Sequence, residues 1–215
     1  MKHFLFILIL SLLTLHGSSQ IKVIEVTHYL FPEFSKGIVL MKDGIKNETT
    51  LNYNSLTEEM LFENNGVKLA LGQLDQIDTV FVNGRKFIPI DGKFLELIYH
   101  SKYSLIVEHR CSIKDPGKPA GYGGTSQTSA TTSYSSYLSG GQAYDLKLPE
   151  GIETKPYVFY WLEKDGKLTK FLNVRQLVRL FGEKESVSKE YVKKNDVNYD
   201  DQNSILKLIK YMEIH

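Results

Sequence analysis

The sequence predicts an α+β fold, mainly an antiparallel β-meander that forms a curved sheet or partial barrel, with a short helical C-terminal segment. Three observations predict it. From residue 21 to residue 113, short runs rich in β-branched and aromatic residues alternate with turn signals. Asp43-Gly44, Asn65-Gly66, Asn83-Gly84 and Asp91-Gly92 fall between those runs, each placing a residue tolerant of positive φ where a two-residue hairpin turn requires one. Beyond Leu172 the apolar period lengthens from two to that of a helix.

Taken in order, residues 1–19 read as a cleavable export signal. Lys2 supplies the positive n-region, the apolar run 4–10 and then Leu12, Leu13 and Leu15 supply the h-region, and Gly17 and Ser19 supply small residues before a cut between Ser19 and Gln20. This run is shorter than the roughly 20 apolar residues that a membrane span needs. No cysteine lies near the cut, so the exported chain is expected to be free of a lipid anchor. The expectation is a soluble protein in the periplasm or at the cell surface, with no membrane span in its mature part, where the longest apolar run is 157–162.

Loss of Lys2 leaves basic and acidic residues equal at 25, without a block of like charge. That balance gives no electrostatic footprint for nucleic acid or an anionic membrane. The single cysteine, Cys111, excludes an intrachain disulfide, so stability has to come from a packed core.

Residues 20–215 read as one structural unit in four stretches. Strands of the meander (20–113) are expected at 22–29, 37–42, 48–53, 59–63, 67–71, 77–82, 86–90, 94–100 and 103–113. The next stretch, 114–145, is expected to be a loop, because 18 of the 22 residues from 120 to 141 are Gly, Ser, Thr or Tyr and none is charged. A β-hairpin region (146–172) follows, turning at Asp165-Gly166. In the helical segment (173–215), Asn173 caps a helix with Val174, Leu177, Val178 and Phe181 on one face, and Gly182 supplies a left-handed C-terminal cap. A second helix covers 188–194, and a third starts at Asp200 or Asp201 and buries Ile205, Leu208, Ile209 and Met212.

Constellations that carry chemistry are few. With 103–113 as a strand, Leu105, Val107, His109, Cys111 and Ile113 share one face, and Ile106, Glu108 and Arg110 the other. An imidazole and a thiol on one face suit a nucleophile–base pair or half a metal site, but the face is otherwise aliphatic and reads as a buried structural thiol beside a satisfied histidine. Asp196, Asn198 and Asp200 resemble the start of a calcium loop, but the glycine and the bidentate glutamate that such a loop needs are replaced by Asp201 and Lys207. Gly121, Gly123 and Gly124 lack the strand and helix of a phosphate loop. Glu58, Glu59, Asp75 and Asp78 are candidate acid–base carboxylates whose separation sequence alone does not fix. Asn47-Glu48-Thr49 is a formal glycosylation sequon. No cofactor and no metal are expected. The expected binding residues are the loop tyrosines Tyr122, Tyr134, Tyr137 and Tyr144, which stand among hydroxyls and glycines, a mixture suited to recognition.

The strings Tyr29-Leu-Phe-Pro-Glu-Phe34, Leu51-Asn-Tyr-Asn54 with Glu58-Glu-Met-Leu-Phe62, Ile77-Asp-Thr-Val-Phe81, Gly121-Tyr-Gly-Gly-Thr-Ser126 and Lys155-Pro-Tyr157 resemble uncharacterised secreted proteins of Bacteroidota. The resemblance implies a periplasmic or surface location in a Gram-negative cell and supplies no activity. The leading functional expectation is an extracytoplasmic binding or scaffold protein whose partner is a protein, a glycan or a small molecule. Its alternatives are a hydrolase with an unrecognised site and a carrier of lipophilic ligands with a hollow curved sheet.

Overall fold

A computed structural model describes residues 28–114, 118–120, 124–126 and 153–215. Ten strands form one antiparallel sheet that does not close: β1 (Ser35–Met41), β2 (Lys46–Asn54), β3 (Glu59–Asn64), β4 (Val67–Ala70), β5 (Ile77–Val82), β6 (Arg85–Ile90), β7 (Lys93–His100), β8 (Tyr103–Lys114), β11 (Glu153–Lys164) and β12 (Lys167–Phe171). The two others, β9 (Lys118–Ala120) and β10 (Gly124–Ser126), make a separate two-stranded sheet. Within the segment expected to be loop, then, these described residues pair as strands. The expected strand at 22–29 is described only at its end, where Tyr29 bridges Asn54.

The turn chemistry explains most of the hairpins. Asn65-Gly66, Asn83-Gly84, Asp91-Gly92 and Asp165-Gly166 each carry two consecutive residues of positive φ, the two-residue turn whose twist matches that of the strands it joins. Asp43-Gly44 differs, because only Gly44 is left-handed. The Gly44 N–H donates to the Met41 carbonyl, the Met41 N–H to the Ile45 carbonyl, and the Asp43 carboxylate accepts from the Ile45 N–H. That pattern is a three-residue loop ending in a glycine bulge, and it adds one residue between the strands.

The sheet is two meanders joined side by side. Its order is β12-β11-β8-β7-β6-β5-β1-β2-β3-β4, so β5 pairs with β1 and not with β4. A 3-10 turn at Leu74–Gln76 carries the chain across. Gly37 makes the β1–β5 contact possible. A Cβ there would lie 2.5 Å from the Phe81 carbonyl oxygen and 2.7 Å from Leu51 Cδ1.

Side chains on one face of the sheet form two cores. In the half built from β1 to β7 the sheet curls until β3 approaches β7. Val39, Leu51, Tyr53, Met60, Val80, Val82, Phe87 and Phe94 pack inside, with Phe31 brought in from the segment before β1. Asn52 holds Phe31 there by accepting from its N–H and donating to its carbonyl, at 3.2 and 3.0 Å. Tyr53 stacks on Phe87, with centroids 5.7 Å apart. The curl is thus filled by side chains. A groove of about 570 Å³ lined by Lys36, Ile38, Glu48, Thr50 and Phe81 lies on the outward side of β1, β2 and β5.

Three helices cover the other half: α1 (Val174–Leu180), α2 (Glu185–Asn195) and α3 (Gln202–Ile214). The starts of α1 and α3 follow the expected capping, whereas α2 has no side-chain cap. Asn173 Oδ1 accepts from the Gln176 N–H at 2.9 Å, Gln176 Oε1 accepts from the Leu172 N–H, and Asp201 Oδ1 accepts from the Asn203 N–H. Gly182 has φ +61 but opens a 3-10 turn leading straight into α2, which begins earlier than the sequence period indicated. Ile205, Leu208, Ile209 and Met212 are fully buried with Leu105, Val107, Tyr160, Leu162 and Phe171 of the sheet. Burial of each such side chain stabilises by on the order of 2 kcal/mol.

Candidate functional site

Strand β8 serves both faces of the sheet. The period of two directs Leu105, Val107, His109 and Cys111 to the core side and Ile106, Glu108 and Arg110 to the outer side. Each side carries a network of charged groups.

On the core side, His109 and Cys111 do share a face, and both are buried. They do not act together. The His109 imidazole is turned toward β7 and β6, with Nε2 2.6 Å from Glu96 Oε2 and 2.8 Å from Arg85 Nη2. Arg85 also forks onto both oxygens of Glu96. Burial alone would raise the Glu96 carboxyl, but the hydrogen bonds from Arg85 and His109 outweigh it and hold the group below its ordinary range. Tyr53 and Phe87 pack their rings about the imidazole. Cys111 Sγ donates weakly to the Ser112 carbonyl at 3.6 Å, and burial pushes the thiol up, away from the thiolate that a nucleophile needs. The pair is a structural thiol beside a satisfied histidine.

On the outer side, the Glu108 side chain is fully buried and takes hydrogen bonds from four groups on four strands. Lys93 Nζ (β7) and Arg110 Nη1 (β8) donate to Oε1 at 3.1 and 3.0 Å; Trp161 Nε1 (β11) and Lys170 Nζ (β12) approach Oε2, each at 2.9 Å. Burial would raise this carboxyl, yet the bonds from Lys170, Lys93, Trp161 and Arg110 prevail and hold it at about 2. Glu58 joins from the turn after β2, 2.8 Å from Lys93 and 2.7 Å from Arg110. It has φ +62, a left-handed backbone costing a non-glycine residue roughly 1–2 kcal/mol. The side chain of Asn54 steadies that turn by accepting from the N–H groups of Leu56 and Thr57.

Exposure divides this outer cluster into two layers. The carboxylate side chains of Glu108 and Glu58 are 0% and 16% exposed, whereas those of Lys93, Arg110 and Lys170 are 28%, 33% and 31% exposed. Anions lie beneath and cations above. Alongside them the outward positions of β11 carry Lys155, Tyr157, Phe159 and Trp161. Lys170 sits 3.7 Å over the Phe159 ring centroid, and Tyr157 meets Phe159 edge-to-face at 5.4 Å. Tyr157 is among the exposed large hydrophobic residues.

Other sequence candidates resolve into structural roles. Asp196 is the left-handed C-cap of α2, Asn198 Oδ1 accepts from the Asp200 N–H, and Asp201 caps α3. Among the described residues no group of three or more His, Cys, Asp or Glu side chains is placed to hold a metal ion. Glu58 belongs to the outer cluster, Asp78 accepts from the Thr79 hydroxyl, and Glu59 keeps one buried oxygen, Oε2, without a partner among the described residues. His100, Ser104 and Glu163 form a chain in which the Ser104 hydroxyl donates to Glu163 at 2.7 Å and meets His100 Nδ1 at 2.9 Å. Its order is wrong for a nucleophile, because the carboxylate takes the hydroxyl proton instead of orienting the imidazole. The tyrosines expected to bind, Tyr122, Tyr134, Tyr137 and Tyr144, and the expected cleavage residues Ser19 and Gln20 lie outside the described residues.

Sequence reasoning placed Glu108 and Arg110 on the face opposite His109 but gave them no partners. The available signal was the strand paired with β8: Trp161 and Phe159 stand on the same side as a carboxylate and a guanidinium, a mixture that an ordinary solvated face does not need. No protein-family model, no curated protein and no solved structure matches the chain.

Proposed function

We propose that the chain is an exported binding protein that engages its partner with the outer face of β8, β11 and β12. The observation that carries this reading is the layering of that face. Two carboxylates hold three partly exposed cations at the surface, alongside Tyr157 and Trp161 in the outward row of β11. Groups fixed before a ligand arrives lose little freedom on binding, the general source of affinity by preorganisation. The described nucleophile candidates are committed elsewhere, Cys111 to burial and Ser104 to Glu163.

The test is retention of the exported full-length protein on the envelope fraction of the cell that makes it. Wild type is compared with Tyr157→Ala combined with Lys170→Gln. The variant should lose retention while keeping a cooperative thermal transition, since Tyr157 is exposed and a glutamine amide at position 170 is still a donor for Glu108. Equal retention by both proteins overturns the assignment of this face. Intact mass of the same exported sample should begin at Gln20, and a mature chain still carrying residues 4–15 overturns export by a cleaved signal.

A further inference from the structure

Resting on that reading, we infer that the outer face of β8, β11 and β12 binds an acidic polypeptide segment. Charge points to the sign of the ligand. Three cations stand against two carboxylates, the carboxylates are the more deeply buried members, and Lys155 adds an exposed positive charge in the same outward row. Arg110 pairs with both Glu58 and Glu108 through Nη1 and keeps a third of its side chain exposed, and a guanidinium fork suits a carboxylate. The further acidic residues of β11, Glu153 and Glu163, stand at the two ends of the strand, Glu153 in register with Lys114 and Glu163 bonded by the Ser104 hydroxyl.

Ring geometry points to the class. Tyr157 and Phe159 lie at 83° to each other, and one side of Phe159 is covered by Lys170. The row therefore offers edges and one exposed tyrosine, not the run of open, parallel ring faces on which a saccharide stacks. Tyr, Trp and Arg are also the residue types that dominate binding energy where polypeptides meet. The outward row from Tyr157 to Trp161 spans about 13 Å at a strand rise of about 3.3 Å per residue, enough to lie along several residues of an extended peptide.

The experiment uses the 15N-labelled protein, with the indole of Trp161, the sole tryptophan of the chain, as an internal reporter. The probes are a decaglutamate peptide, a decalysine peptide and a galacturonate hexamer. Decaglutamate should shift the amides of 108–112, 155–161 and 170 together with the Trp161 indole. Its apparent affinity should fall about tenfold or more between 0.05 and 0.5 M salt, and about fivefold in Lys170→Gln. An equal response to decalysine, shifts centred elsewhere, or indifference to Lys170→Gln overturns the inference. Tighter binding of the galacturonate hexamer overturns the polypeptide class and leaves the recognition face standing. Likewise, if the Tyr157 and Lys170 variant loses envelope retention while decaglutamate causes no shift, the ligand class fails and the function proposed above survives.

Discussion

Glu108 is the residue on which most of the outer cluster depends, because removing its charge leaves Lys93 and Arg110 with Glu58 alone and takes from Lys170 the carboxylate it is bonded to. Glu108→Gln keeps the shape and should destabilise the fold by about 3 kcal/mol, the usual scale when one partner of a buried ion pair is lost, measured by urea unfolding at pH 7. Its pH dependence has a definite sign. A carboxyl held at about 2 in the folded chain and near 4 when unfolded stabilises above the higher value, and that contribution is lost as pH falls from about 4 to 2. The variant should therefore show a flatter stability curve across that window. His28 acts earlier. Its ring is buried, both nitrogens lack a partner among the described residues, and burial together with the charge of Lys68 lowers it to about 4. The folded state keeps the imidazole neutral, so stability is full above about 6.5 and declines as pH falls toward 4. His28→Phe should remove that slope, and an unchanged slope between pH 6.5 and 4 would show that another group titrates there. Neither effect was legible in the sequence, since both depend on which strands the fold brings beside an ordinary-looking Glu or His.

At the scale of elements the sequence was far more informative. Asx-Gly dipeptides ended strands where a left-handed pair was needed, and the apolar spacing of Ile205, Leu208, Ile209 and Met212 located the buried face of α3. Both signals are local, carried by residues within one turn or one strand of each other. Local signals also predict mutational outcomes: Asn173→Ala removes the side-chain acceptor of the Gln176 N–H and should cost about 1 kcal/mol in thermal or urea unfolding. The Asp43-Gly44 loop escaped because the same dipeptide serves a two-residue turn and a glycine bulge, and only the flanking hydrogen bonds distinguish them. Pairing at long range also left no trace. Lys114 and Glu153 are register partners at the end of a twelve-residue ladder between β8 and β11, so the chain between them closes on a site the ladder already holds together. Replacing residues 120–141 by a short Gly-Ser linker should shift the thermal midpoint by about 2 °C or less, because changing a loop's length costs little closure entropy. Unfolding on that replacement would make the tyrosines of the segment part of the core.

Over the whole molecule, the sheet combines two stretches of neighbour-to-neighbour pairing through one seam at β1 and β5. Within each stretch most hairpins can zip from their own turns, an inexpensive search because the pairing residues are close along the chain. The seam is different in kind. Met41 pairs with Ile77, so β1 and β5 meet only after the intervening strands have found their places, and that encounter carries the larger closure entropy. Gly37 lies at this encounter, its missing side chain filled by the Phe81 carbonyl and Leu51. The bare Cα lies where the two ribbons are joined into one sheet. Gly37→Ala should destabilise by about 1–3 kcal/mol, with most of the loss in the refolding rate and little in the unfolding rate, as expected of a contact formed at the barrier. Stopped-flow chevrons of wild type and variant decide it: a steeper loss in the unfolding limb would place the seam after the rate-limiting step.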